Sequence, residues 1–233
     1  MIKAHNLTYG YIQVQPVLKH IDLDMPAGHV YGLLGRNGIG KSTMLKVLSG
    51  ALIGQGDYTV DGRDPRRREV EFQQSIRLIP ENEALYDITI QDYARVTRPL
   101  YPTFSDEILR QALDELHVPA DQKLTNMSLG QQKKALISLS LACNTPYILM
   151  DEPTNGMDIP SKSCFRKLVA NMIDEQRTII ISTHQVDDLE GLIDYVTIME
   201  NDGIILSDSL EAIGQKYGTE DIKQVFCQLV NIE

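Results

Sequence analysis

The stretch Gly35-Arg36-Asn37-Gly38-Ile39-Gly40-Lys41-Ser42 constrains this chain more than any other. An apolar run, Val30 to Leu34, precedes it, and a run of helical character, Thr43 to Leu48, follows. The order predicts strand, glycine-rich loop, helix, and the spacing Gly-x4-Gly-Lys-Ser is that of a phosphate-binding loop. Glycines let the backbone turn several N–H groups toward one anion. The helix adds its free N-terminal donors and the positive end of its dipole. Lys41 brings a point charge for the outer phosphates, and the Ser42 hydroxyl is a ligand for Mg²⁺. Such a spacing arises by chance in about one chain of this length in a hundred. The flanking strand and helix strengthen the case, and a purine triphosphate or related phosphate is the expected ligand.

The other segments fit an α/β protein. Ile2 to Thr8 and Val17 to Met25 are expected as strands, with Tyr9-Gly10-Tyr11 a turn between them. Taken alone, Tyr9 and Tyr11 read as half-exposed strand-end side chains. Tyr58-Thr59-Val60 and Ser75 to Ile79 are further strands, the second stopped by Pro80. Residues 84–144 change to helical spacing; Ser105-Asp106-Glu107 starts a helix whose Leu109, Ala112, Leu113 and Leu116 share a face. This block is expected as a helical subdomain inserted between two strands. Ser128-Leu129-Gly130-Gln131 has capping-box spacing and starts a helix running to about Asn144.

Tyr147 to Met150 is a short apolar strand ending in Asp151 and Glu152. Two carboxylates this close repel unless a cation or solvent compensates. Beside a phosphate-binding loop, the first acid fits the Mg²⁺ shell and the second faces an attacking water. A loop through Asp158 leads to a helix beginning near Pro160. Thr178 to Ile181 is a continuous apolar strand, as in a parallel sheet covered on both faces. His184 follows it at a strand end, where ligands bind in open α/β sheets. Tyr195 to Met199 and Ile204 to Leu206 flank a hairpin signal, Asn201-Asp202-Gly203.

Charge and length narrow the function. A net charge of −10 over 233 residues disfavours a general nucleic-acid binder. The one basic run, Arg66-Arg67-Arg68, is followed by Glu69 and Glu71 and reads as a solvated loop. Three widely spaced cysteines have no metal spacing and suit a reducing compartment. No apolar run approaches the ~18–20 residues of a spanning helix. The chain is expected not to cross a membrane but to be able to dock on a protein that does.

In combination these motifs resemble the ATP-binding-cassette (ABC) ATPase family over nearly the whole chain. The specific part is Ser128-Leu129-Gly130-Gln131 placed shortly before the acidic strand. The resemblance implies a P-loop NTPase fold: a RecA-like mixed-sheet core, an antiparallel β subdomain and an inserted helical subdomain. It implies one ABC ATPase domain over 1–233, with core segments 1–81 and 145–233 and a helical subdomain at 82–144. It implies that residues 36–43 (Arg36, Asn37, Gly38, Ile39, Gly40, Lys41, Ser42, Thr43), with Gly35 before them, cradle ATP. Ser42 and Asp151 would serve Mg²⁺, Glu152 would activate water, and His184 would contact the γ-phosphate. Ser128, Gly130 and Gln131 would close over ATP on a second ATPase subunit, with Asp158 at that dimer interface. Tyr9 best matches the adenine-stacking aromatic, and Tyr11 is the alternative.

Two positions depart from the family pattern. Leu129 stands where a glycine is usual, and the capping hydroxyl and the Gly130 N–H remain. Glu81 stands where a glutamine usually reaches Mg²⁺; a carboxylate there is expected to strengthen Mg²⁺ dependence. The Pro80-Glu81 variant resembles that of bacterial exporters of drugs, peptides or envelope components. The implied partners are a second ATPase subunit and separate transmembrane permease subunits, with no nucleic acid. The implied location is peripheral, on the cytoplasmic face of the inner (plasma) membrane. The runner-up readings are a soluble non-transport ABC ATPase and a nucleotide-binding regulatory module.

Overall fold

The structure is a computed structural model that describes residues 1–12, 15–83, 85–201 and 203–230. Alternating apolar residues at the start of the chain form β1 (Ile2–Tyr9), and β2 (Leu18–Met25) pairs with it antiparallel. The alternation of β1 breaks between Ala4 and Leu7, where the register shifts and Asn6 takes a φ of +55°. Strand β3 (Val30–Leu34) is buried at every position and feeds α1 (Lys41–Leu48). Strand β4 (Gln55–Val60) returns to the free edge of β1 and completes a three-stranded antiparallel sheet, β2-β1-β4.

After α2 (Val70–Ser75) comes β5 (Ile76–Ile79), ended by Pro80. Helices α3 (Ile90–Thr97), α4 (Asp106–Glu115) and α5 (Leu129–Ala142) lie between β5 and β6 (Tyr147–Asp151). Ser105 caps α4 and Ser128 caps α5, each through its hydroxyl. Then follow α6 (Ile159–Met172), β7 (Thr178–Thr183), β8 (Tyr195–Glu200), β9 (Gly203–Ser209), α7 (Leu210–Tyr217) and α8 (Ile222–Leu229).

The main sheet has the order β5-β6-β7-β3-β8-β9. All neighbours are parallel except β8 and β9, so the sheet is mixed. Its two faces carry two cores. In β6 the side chains alternate: Ile148 and Met150 join one cluster and Leu149 the other. One cluster fills the space toward α1 and the antiparallel sheet, through Leu7, Met25, Leu45 and Phe72. The other runs from Ile181 and Phe165 into Ile90, Leu113 and Ile137 of the helical segment. Each fully buried Leu, Ile or Phe in these layers contributes roughly 1.5–3 kcal/mol.

Several boundaries differ from those expected, three of them for reasons the pairing or the backbone shows. The strand at Tyr58 begins earlier, at Gln55, because it pairs along β1. The strand at Thr178 continues through Ser182 and Thr183, which pair with Leu33 and Leu34. Helix α5 stops at Ala142, since Asn144 turns to a φ of +52°. The Arg66-Arg67-Arg68 run lies on a single tight turn, with Arg67 and Arg68 exposed to solvent. Asp64 pairs with Arg66 at 2.8 Å, and Arg68 Nε donates to the Gly50 carbonyl. Asp202 of the hairpin signal lies outside the described residues.

Candidate active site

The carboxyl ends of β3, β6 and β7 lie side by side at one edge of the sheet, with Asp151 in register with Ser182 and Leu34 with Thr183. That parallel arrangement brings the loop after β3, the acids after β6 and His184 to one place. Gly40 caps α1 in the left-handed region, at φ +113°, and offers no side-chain cap. The first N–H groups of the helix therefore remain for an anion. Lys41 is 5 % exposed, and its Nζ donates to the carbonyls of Gly35 at 2.7 Å and Arg36 at 3.2 Å. Burial pushes its pKa below the ordinary lysine value, and Glu152, Asp151 and Glu81 oppose that shift. Arg36, Asn37 and Gly38 form the exposed crown of the loop, while Ile39 packs half-buried against the core.

Glu152 is the hub of the site. It is buried, 6 % exposed, with a φ of +46°. Its Oε1 is 3.6 Å from Lys41 Nζ and 3.0 Å from His184 Nδ1. The repulsion expected between the two acids is thus relieved at Glu152 by Lys41 and His184. It is relieved at Asp151 by the Ser182 hydroxyl, which donates to Oδ1 at 2.6 Å. Ser182 also receives the Glu152 N–H, at its carbonyl at 3.1 Å and at its hydroxyl at 3.2 Å. Gln185 Nε2 lies 3.4 Å from His184 Nε2.

A cavity of about 510 Å³ opens over these groups. Gly40, Lys41, Ser42, Thr43, Glu152 and His184 line it, together with Glu81, Asn155 and Tyr11. Of the two aromatic candidates, Tyr11 reaches this wall, with its hydroxyl 3.3 Å from Thr43 Oγ1. Tyr9 stands edge-on to Tyr11, with ring centroids 5.2 Å apart. Ser42 and Glu81 line the cavity, and Asp151 lies buried outside its lining; all three carry hard oxygen donors of the kind Mg²⁺ takes. Among the described residues no group of three His, Cys, Asp or Glu side chains is placed to hold a metal. A Mg²⁺ ion here would complete its shell from phosphate oxygens and water, as Mg²⁺ prefers.

Ser128 and Gln131 form the expected capping box: Ser128 N–H donates to Gln131 Oε1 at 3.1 Å, and Gln131 N–H to Ser128 Oγ at 3.3 Å. They do not line the cavity over Lys41. Asp158 caps α6 by accepting the Ser161 N–H at 2.9 Å, and the Ser161 hydroxyl and N–H hold its carboxyl below the usual range. Beside these caps two large apolar side chains face solvent, Leu129 at 83 % and Ile159 at 82 % exposure. Three participants carry no local sequence signal: Lys133, Asn155 and Ser182. Lys133 Nζ donates to the carbonyls of Glu152 at 2.5 Å and Asn155 at 3.2 Å, and Asn155 Nδ2 donates to Glu81 Oε1 at 2.9 Å.

Comparison with known proteins places the chain. A family model described as "ABC transporter" matches residues 18–155. The ABC transporter ATP-binding protein NatA of Bacillus subtilis is 30 % identical over 222 residues, covering 92 % of this chain and 90 % of the relative. The lantibiotic transport ATP-binding protein SrtF of Streptococcus pyogenes is 29 % identical over 230 residues, covering 97 % and 96 %. A solved structure of an ATP-binding subunit of an ABC transporter superposes with a TM-score of 0.87 at 21 % identity, covering 99 % of each chain. A dimeric bacterial ABC transporter cassette gives 0.77 at 21 % identity, covering 90 % of this chain and 98 % of that one.

Proposed function

This chain belongs to the ABC transporter family, as an ATP-hydrolysing subunit, and from that premise we propose that it drives an exporter and that the cavity over Lys41 is its hydrolytic site. The observation that carries the site is the convergence of Lys41 and His184 on one buried carboxylate, Glu152, beside a helix start with free N–H groups.

Residues 35–43 hold the ATP phosphates, and Lys41 takes the outer ones. A phosphate that draws Lys41 away leaves Glu152 paired with His184 alone. The Glu152 carboxylate then has a free lone pair with which to orient the attacking water and accept its proton. His184, 3.0 Å from that carboxylate, contacts the γ-phosphate from the same side. Ser42, Asp151 and Glu81 are the residues that would hold Mg²⁺, which when bound neutralises charge on the phosphates. Tyr11, braced edge-on by Tyr9, is the stacking face for the base.

Ser128, Gly130 and Gln131 act on a second subunit. Their helix start lies outside the chain's own cavity, so the phosphate it faces belongs to a partner, with Asp158 at the same contact. Residues 82–144 serve as the helical subdomain, and permease subunits dock near residues 81–105, where Tyr86, Val96 and Leu100 are exposed. No helix among the described residues is long and apolar enough to cross a membrane. Bound through that contact to its permease, the chain works at the cytoplasmic face. Export of drugs, peptides or envelope components is supported by the likeness to SrtF, a lantibiotic transport protein.

Glu152→Gln tests the site. It keeps ATP binding, lowers turnover by about a hundredfold or more, and accumulates an ATP-bound dimer on gel filtration. Hydrolysis at the wild-type rate would remove Glu152 from the role given to it.

A further inference from the structure

The helix that starts at Ser128 is tied to the hydrolytic loop by one side chain. Lys133, in the first turns of α5, spends two of its three donors on the carbonyls of Glu152 and Asn155, at 2.5 and 3.2 Å. Asn155, in the turn after β6, donates from Nδ2 to Glu81 Oε1 at 2.9 Å. Glu81 belongs to the loop that ends β5. Three segments, the end of β5, the start of α5 and the turn after β6, thus meet at Lys133 and Asn155. Around them lies a second cavity of about 280 Å³, reached by Glu83, Gly130 and Gly156. Glu81 lines both this cavity and the one over Lys41.

The junction matters because of the backbone of Glu152. At φ +46° this residue occupies a region that L-residues adopt only under constraint. The constraint on its N–H side is Ser182. On its carbonyl side two donors meet it, the Asn155 N–H at 3.2 Å within the turn and the charge-assisted bond from Lys133, which is the one that reaches it from another element. Burial works against the Lys133 ammonium, and the carboxylates of Glu81, Glu152 and Asp151 offset that cost.

We propose that Lys133 is a positioning residue for ATP hydrolysis: it fixes the Glu152 peptide to the Ser128 helix, while Glu81, through Asn155, grips the same turn from the other side. A shift of α5 or of the Pro80–Glu83 loop then moves the Glu152 carboxylate relative to Lys41 and His184. Both the helix that meets the second subunit and the loop nearest the permease contact are thereby geared to one catalytic oxygen. The inference rests on Glu152 being the acid that activates water.

The test uses the full chain with Lys133→Met, Lys133→Gln and Glu81→Gln, alone and combined. Steady-state hydrolysis gives kcat and KM; TNP-ATP fluorescence in EDTA gives nucleotide affinity without metal, and thermal melting reports folding. Lys133→Met is expected to lower kcat by about tenfold or more, with KM and TNP-ATP affinity within about twofold and melting intact. Lys133→Gln, which keeps a donor, should recover part of the loss. Glu81→Gln should lower kcat less, and add little on top of Lys133→Met. Wild-type kcat in both Lys133 variants overturns the proposal, as does a loss that tracks nucleotide affinity or melting. Fully additive effects, with a Glu81→Gln defect that extra Mg²⁺ repairs, overturn the part given to Glu81. Glu152→Gln run in parallel separates the two layers, since wild-type turnover there sinks the site itself.

Discussion

At the scale of single residues, the site depends on groups whose burial makes them expensive to hold and specific in effect. Lys41 and Glu152 are each nearly enclosed, and each compensates the other at 3.6 Å. Tyr11 is the opposite case, 60 % exposed and held by the Tyr9 ring and by Thr43. Its value lies in a face presented to solvent, on which a base can stack. Tyr11→Ala should weaken ATP binding by about fivefold to tenfold, a stacking contribution near 1 kcal/mol. Tyr9→Ala should weaken it less, because that ring only braces its neighbour. Equilibrium titration of nucleotide against both variants measures this, and the reverse order would return the platform to Tyr9. Sequence spacing left this choice open because Tyr11 lies beyond the end of β1, where no strand pattern fixes its direction.

At the scale of elements, the loop after β6 is held by a second tie that no motif announces. Asp188 accepts from the Thr154 hydroxyl at 2.6 Å and from Lys162 Nζ at 2.7 and 2.9 Å. It thereby joins the turn after β6, the first turns of α6 and the segment after His184. The side chains are 9 % and 19 % exposed, so this pair is largely but not wholly desolvated. Asp188→Ala should cost about 2–3 kcal/mol, below the full value for a buried pair because Lys162 keeps some solvent. Asp188→Asn should cost less, since it retains an acceptor for Thr154. Urea denaturation reads both, and an unchanged midpoint for Asp188→Ala would show the tie to be idle. What sequence made legible at this scale is what local chemistry encodes. The glycine-rich loop, the Ser128 capping box, the apolar strands and the acids at a strand end all stand where their patterns put them. Asp188 with Lys162, Lys133 with Glu152, and Ser182 with Asp151 were illegible for one reason. Each joins residues far apart along the chain, through a side chain whose type alone suits any surface.

At the scale of the molecule, its outer faces divide the work. One face carries Ser128, Asp158 and the exposed Leu129 and Ile159, and meets a second subunit in the proposed assembly. Tyr86, Val96 and Leu100 are also exposed, in the region proposed for the permease contact. Leu100→Glu should therefore release the chain from the membrane fraction of cells that make the whole transporter, while the ATP-bound dimer of Glu152→Gln forms as before. Retention on the membrane would move the docking surface elsewhere. In vesicles that carry the assembled transporter, ATP supplied on the side of this chain should drive substrate to the far side, and the opposite direction would exclude export.

The helical segment has no core of its own. Ile90, Leu113 and Ile137 belong to one continuous apolar cluster with Ile79, Met150 and Ile181 of the sheet. A segment built this way cannot be traded between relatives as a ready-made cassette, because its interior is tailored to one particular sheet. A volume change at one of its buried positions must be met by a neighbour across the interface. Its outer positions, Val96 and Leu100 among them, can change without disturbing that interior. In the proposed assembly, a new membrane partner would be met by changes on this surface, not by importing the helices beneath it.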